Sequence, residues 1–318
     1  MGEKNGVDHG PRRSGASTLT LGKDEAMTER VKVDETTVAA LVADQFPQWA
    51  NLPVTRVRPG GWDNRTFRLG ADLLVRMPAA DHYIAQVEKE QVWLPRLAPL
   101  LPLPIPAPVG VGAPGHGYPF TWSICAWIDG ETVAAADGLD HERLAQDLAD
   151  FLLALHAIDA SEGPAAGAHN FHRGGDLAVY DGQTRSAVET LGGQIDGAAA
   201  LALWDAALAT RWARPPVWIH GDVAPGNLLV RNSRLAAVID FGTCGVGDPA
   251  CDLAFAWTFL DDGGRQVFRE RLGLDEACWL RGEAWALWKA LIVVAGAPGV
   301  HAHERDLHLR VLQRLGVM

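Results

Sequence analysis

Apolar positions along this chain recur with two periods, and the changeover divides it. Between Val54 and Met77 the two-residue alternation of strands predicts three short β-runs, Val54 to Arg58, Thr66 to Leu69 and Leu73 to Met77. Before them, Val38, Leu41 and Val42 share one face of a helix expected over Asp34 to Gln45. After them, Ile84, Val87, Val92 and Leu94 predict a helix over Tyr83 to Leu97, with Pro95 straining its last turn. Pro102, Pro104, Pro106 and Pro108 make a stiff connection to two more strands, Val109 to Gly112 and Phe120 to Trp127. Beyond them the period turns helical: Leu144, Leu148, Phe151, Leu152 and Leu155 predict a helix over Leu139 to Ile158. Residues 160–193, rich in Gly, Asp, Arg and His, read as loop and short helix with no convincing metal-ligand spacing. A helix over Ala198 to Trp212 follows, and the chain after Gly247 reads as helical to Met318. Residues 1–30 are polar and aperiodic, so a mobile tail is expected there.

Between the last two helical regions lies a different pattern. Two apolar β-runs, Leu228 to Val230 and Ala236 to Ile239, flank Asn232 and Ser233 and predict a hairpin. His220-Gly221-Asp222 precedes it, Asn227 enters its first strand, and Asp240-Phe241-Gly242 leaves its second. Two acids and one amide are thereby delivered to one place. Phosphoryl transfer needs such a set: a carboxylate that orients a hydroxyl and accepts its proton, and hard oxygen ligands for magnesium. Asp222 fits the first role, and Asn227 and Asp240 the second. D-x-x-x-x-N followed by D-F-G matches the catalytic and metal loops of protein kinases. Either motif alone would be read as an ordinary turn; together, one hairpin apart, they are specific.

His220-Gly221-Asp222 with Asn227, Ile239 to Gly242, and Gly247 to Ala254 (G-D-P-A-C-D-L-A) resemble the aminoglycoside phosphotransferase family, from about Val54 to the C-terminus. The resemblance implies a two-lobed, protein-kinase-like α+β fold, with an N-lobe over residues 31–127 and a C-lobe over 128–318. It implies ATP, with GTP as an alternative, and Mg2+ as cofactors. The turn at Gly60 and Gly61 would cover the phosphates, two glycines letting the backbone come close. Arg76 stands where the family most often has Lys; it keeps the charge with a different geometry. A solvated edge arginine is the competing reading. Glu90 would pair with that cation, with Glu88 as rival. Cys125 to Gly130 resembles an interlobe hinge, which makes Ala126 and Ile128 candidates for backbone contacts to adenine. Trp127 reads as a core residue. His156 would be structural, hydrogen-bonded near the catalytic loop, and Asp252 would brace that loop. Asp261 and Asp262 read as a solvated turn. The tryptophans at 257, 279, 285 and 288 read as core or pocket wall.

Composition narrows the partners. With 318 residues, 48% of them hydrophobic and 21% charged, the chain can bury two cores. A net charge of −11 argues against nucleic acid and anionic membranes and suits a cationic small hydroxylated substrate. No apolar run has the length of a membrane helix, and no apolar signal core opens the chain, so a cytoplasmic enzyme is expected. Four cysteines without a C-x-x-C pair read as reduced and buried. An aminoglycoside is the leading acceptor, and a macrolide or other hydroxylated metabolite is the alternative. A nucleotide-binding protein without useful catalysis, and a pure interaction module, are the rival classes.

Overall fold

A computed structural model describes residues 31–58, 63–297 and 304–318. The expected tail and the turn glycines Gly60 and Gly61 lie outside the described residues. The architecture is α+β in two lobes.

Helix α1 (Glu35–Gln45) is capped by Asp34, whose carboxylate accepts the Thr37 N–H at 2.8 Å. Five antiparallel strands follow: β1 (Val54–Arg56), β2 (Asn64–Leu69), β3 (Leu73–Pro78), β4 (Pro108–Gly112) and β5 (Trp122–Ala126), in spatial order β1-β2-β3-β5-β4. Alternation along β3 sends Val75 and Met77 into a core with Phe67, Leu69, Trp122, Ile124 and the apolar face of α1. Arg76, between them, is left to the opposite face, where α2 (Ile84–Leu97) lies. Gln91 of α2 donates to the Trp122 carbonyl at 3.2 Å and to Ser123 Oγ at 3.0 Å, which ties the helix to β5. Helix α2 buries three polar side chains, Gln86, Lys89 and Glu90, along with Val87, Leu94 and Leu97. Burial on that scale requires partners, and two of them, described below, belong to the site.

The second lobe is mainly helical: α3 (His141–His156), α4 (Asp181–Leu191), α5 (Gly197–Leu208), α6 (Phe255–Thr258), α7 (Asp262–Leu272), α8 (Glu276–Val294) and α9 (Arg305–Arg314). Helix α8 is hydrophobic nearly all round and runs through the core, with Trp279, Trp285 and Trp288 buried on it. Two small β-pieces lie between the helices. β6 (Glu131–Thr132), β8 (Leu228–Arg231) and β9 (Arg234–Val238) form one, and β7 (Val217–Ile219) pairs with β10 (Gly245–Gly247) in the other.

Several expectations shift at this level. The β8–β9 turn is the two-residue kind the sequence suggested, with Asn232 at φ 53° and Ser233 at φ 57°. Residues 160–193 contain a full helix, α4, whose buried positions Thr184, Ala187 and Leu191 are too small and too polar to show a hydrophobic stripe. Helix α5 stops at Leu208, short of Trp212. The helix expected after Gly247 begins as a 3₁₀ turn over Pro249–Ala254. Trp127 is not a core residue: it is half-buried, donates to Asp129 Oδ1 at 2.8 Å and stacks under the Arg68 guanidinium at 3.8 Å. Asp261 is a cap rather than a free turn residue, accepting the Gly264 N–H at 2.8 Å ahead of α7, and Asp262 is exposed beside Arg265. All four cysteines are buried free thiols.

Candidate active site

The loop after β7 is held from three sides. His220 is fully buried; its Nε2 contacts the Ile239 carbonyl at 3.0 Å and its Nδ1 accepts the Asp222 N–H at 3.2 Å, which places the proton on Nε2. Asp252, fully buried in the 3₁₀ turn, accepts the His220 N–H at 2.9 Å and the Gly221 N–H at 2.7 Å. Burial raises the Asp252 pKa, and the His220 ring and these two donors work against the rise. Gly221 is dictated by geometry: its φ is +86°, and a Cβ there would sit 2.5 Å from the Thr243 carbonyl oxygen. His156 does not join this network. Its Nε2 is buried without a partner among the described residues, and burial pulls its pKa down to about 4, so it is a neutral packing residue of α3.

Asp222 is exposed at the end of this braced loop. Asn227 Nδ2 donates to its carbonyl at 2.9 Å and to its Oδ2 at 3.0 Å, leaving Asp222 Oδ1 open. The Ile239 N–H donates to the Asn227 carbonyl at 2.8 Å, so the two ends of the hairpin are stitched side by side. Asp240 then turns through a left-handed conformation, φ 66°, strained for a residue with a Cβ, and its carboxylate reaches Arg76 NH2 at 3.4 Å. Gly242, two residues on, leaves room for Gln86 of α2, whose Oε1 would stand 3.0 Å from a Cβ there.

Arg76 is shared. NH1 donates to both Glu90 oxygens, at 3.0 and 3.1 Å, while NH2 faces Asp240. Burial opposes its charge, but Glu90 and Asp240 hold it firmly protonated. Burial likewise pushes Glu90 up, against the pull of Arg76. Glu90 and not Glu88 meets the cation: Glu88 points to solvent. Lys89, next to Glu90, contacts His169 Nδ1 at 3.2 Å, so α2 is pinned to the other lobe as well.

The hinge candidates lie further off. Ala126 ends β5 opposite Leu73, while Ser123 faces Arg76, so Ala126 is about 10 Å along the sheet from the arginine. Ile128 is half-buried two residues beyond.

One residue of this cleft escaped the sequence reading. Asp63, read as a turn residue, is set deep and hydrogen-bonds Tyr83; burial first, then the charges of Asp240 and Asp222, push its pKa up to about 7, while Tyr83 and Arg76 pull against them. Nothing in its local sequence marks it, because its partners come from α2, β3 and the hairpin.

The residues present fit a magnesium ion. Asp240 offers a partly exposed carboxylate, and Asn227, whose Nδ2 is engaged by Asp222, has its amide oxygen free to point away. One carboxylate and one amide oxygen, with phosphate oxygens and water, is a usual magnesium set. Among the described residues no cluster of three or more His, Cys, Asp or Glu side chains forms an all-protein metal site.

A five-stranded antiparallel sheet, a braced aspartate with an amide and a second aspartate around one hairpin, and a buried Arg–Glu pair are the arrangement of a kinase-like phosphotransferase. A family model described as the phosphotransferase enzyme family matches residues 54–290, and the chain belongs to that family. No curated protein matches the chain. Solved structures of similar fold include the GDP and kanamycin complex of APH(2")-IIia, 19% identical with TM-score 0.66, covering 88% of this chain and 97% of that one. Macrolide 2'-phosphotransferase MphH from Brachybacterium faecium is 23% identical with TM-score 0.58, over 86% of this chain and 97% of its own. The streptomycin-ATP-APH(2")-IIa ternary complex is 20% identical with TM-score 0.54, over 90% and 96%. Likeness at these identities is one of fold.

Proposed function

We propose that this phosphotransferase moves the γ-phosphate of ATP to a hydroxyl of a small molecule, with Asp222 as the base. One observation carries the reading: Asn227 takes one oxygen of Asp222 and leaves the other open, on a loop whose backbone Asp252 and His220 hold in place. A carboxylate so oriented can align an acceptor hydroxyl and take its proton as the new P–O bond forms. Arg76, steadied by Glu90, neutralises phosphate charge, and residues 31–127 form the nucleotide lobe over an acceptor lobe of 128–318. Asn227 and Asp240 would hold Mg2+, which when bound supplies positive charge to the phosphate oxygens. Gly60 and Gly61 would cover the phosphates, and the backbone at Ala126 and Ile128 would meet the base. The GDP and ATP complexes among the fold neighbours support a purine nucleotide, ATP or GTP.

An aminoglycoside is the acceptor that the resemblance and the net acidity put first, and a macrolide the second; both names occur among proteins of this fold. The test is ADP release with Mg-ATP over a panel of hydroxylated small molecules, with Asp222→Asn beside the wild type. The variant is expected to lose roughly 10²-fold or more in turnover while keeping its nucleotide-induced rise in melting temperature. A wild type that neither responds thermally to nucleotide nor releases ADP would sink the assignment.

A further inference from the structure

Helix α8 and the loop before α4 meet within electrostatic reach of Asp222. Trp285, Trp288 and Lys289 fall three and four residues apart on α8 and so share a face. Lys289 is set deep among packed elements without being sealed. Burial pulls the Lys289 pKa down and the Arg173 charge adds to that fall, while Asp222 and Glu304 work against it. Among the described residues its ammonium has neither a hydrogen bond nor an ion pair. Arg173 stands over the rings of Trp285 and Trp288, 4.9 and 5.0 Å from their centroids, and its NH1 is buried with no acceptor among the described residues. The aromatic shelf is itself rigid: Tyr180 packs 4.0 Å from Trp288, whose indole N–H donates to Gln183 Oε1 at 3.1 Å.

Two cations with spare donors therefore stand together on α8 and the loop before α4, within electrostatic reach of Asp222. A buried cation without a partner destabilises the fold, so such a pair is retained where a ligand completes it. The net charge of −11 is a count over the whole molecule; the side chains that α8 and the loop at Arg173 bring towards Asp222 include two cations, Lys289 and Arg173, with Glu304 also acting on Lys289. A polycationic acceptor would bring its ammonium groups against both, which moves the acceptor from the aminoglycoside that net acidity puts first towards another hydroxylated metabolite.

Resting on the assignment of Asp222 as the base, we propose that the acceptor carries an oxyanion, a carboxylate or a phosphate, close to the hydroxyl that is phosphorylated, and that Lys289 binds that group with Arg173 behind it. Lys289 is thus a specificity-determining residue for the acceptor and not for the nucleotide.

The test uses the full chain with Mg2+ and a non-hydrolysable ATP analogue filling the nucleotide site. Sulfate replaces chloride at constant ionic strength as the anion probe, and kanamycin serves as the polycation probe. Sulfate is expected to raise the wild-type melting temperature beyond the general stabilisation that sulfate gives any fold; Lys289→Met keeps only that general part, and Lys289→Arg keeps most of the excess. Ligand-free Lys289→Met melts at or above the wild type, since an apolar side chain replaces an unpaired charge. Equal sulfate effects on the wild type and Lys289→Met, or stabilisation by kanamycin and not by sulfate, would overturn the anion site. The rise caused by the nucleotide analogue alone reports separately on the kinase assignment: its loss sinks that assignment, while its presence without a Lys289-dependent sulfate effect sinks only the acceptor inference. In turnover, hydroxy acids and sugar phosphates separate the two anion sources. With either, Lys289→Met raises acceptor KM at least tenfold and leaves nucleotide KM unchanged; the reverse pattern would place Lys289 on the nucleotide and overturn the proposal.

Discussion

Asp63 shows how much a single position depends on neighbours distant in sequence. Its folded pKa of about 7 stands well above the ordinary 3.8, so the folded protein binds the proton that the unfolded chain releases. By linkage, the stability Asp63 contributes is full below about pH 4 and is lost as pH rises through about 7. Asp63→Asn removes the titration. Without ligand, the variant should melt higher than the wild type at pH 8, by roughly a few degrees, with the gap closing as pH falls towards 4. Melting curves across that range decide it; a gap independent of pH would mean Asp63 ionises normally. The same residue scale explains Arg76. Its planar fork gives NH1 to Glu90 and NH2 to Asp240 at once, which a lysine's single ammonium does less readily.

At the scale of elements, one junction carries the loop. Asp248 begins the 3₁₀ turn over Pro249–Ala254 by accepting the Ala250 N–H at 3.1 Å, and Arg281 of α8 donates to it from Nε at 2.6 Å and NH2 at 3.3 Å. Both side chains are almost removed from water, Arg281 at 4% and Asp248 at 9% exposure, so neither tolerates loss of the other. Arg281→Met should cost about 3–5 kcal/mol in denaturant unfolding, because it strands a buried carboxylate. Asp252→Ala leaves the His220 and Gly221 N–H groups unpaired and should cost about 2–4 kcal/mol. The two differ in a second readout. Well below its melting point Arg281→Met should keep most of its turnover, whereas Asp252→Ala should lose turnover as well, since the loop bearing Asp222 is freed. Equal turnover in both would mean that the brace acts on stability alone.

On the scale of the molecule, α2 belongs to both lobes. Arg76 and Ser123 hold it to the sheet, while Lys89 reaches His169, and Leu94 and Leu97 join the larger core. A nucleotide lying between the lobes would be gripped from both. Mg-ATP at 100 times its dissociation constant should stabilise the fold by about 2.7 kcal/mol, a rise of roughly 4 °C in melting temperature. Arg76→Met should lose most of that rise, and a variant retaining it would show that Arg76 makes no phosphate contact.

The placement of the hairpin's polar side chains was legible in the chain because it is local. Asp222, Asn227 and Asp240 are separated by turns and strands whose lengths are set by period and turn residues, so spacing alone brings them to one end of a hairpin. The helix stripes of α1 and α3 and the alternation of β3 were legible for the same reason. Other features depend on packing between segments far apart. Glu90 rather than Glu88 meets Arg76 because of how α2 is rotated on the sheet. The pair β7–β10 went unseen because glycine-rich Gly245–Gly247 reads as turn until Val217–Ile219 lies beside it. His156 sits in a run like any ligated histidine, yet folding leaves its Nε2 without a partner. Asp63, Arg173 and Lys289 are ordinary surface residues in the sequence; only the packing of α8, the loop before α4 and the hairpin raises the Asp63 pKa and leaves the two cations without an ion pair among the described residues. Spacing along a chain sets what adjacent residues can do together, whereas burial and field come from residues that the chain does not place next to one another.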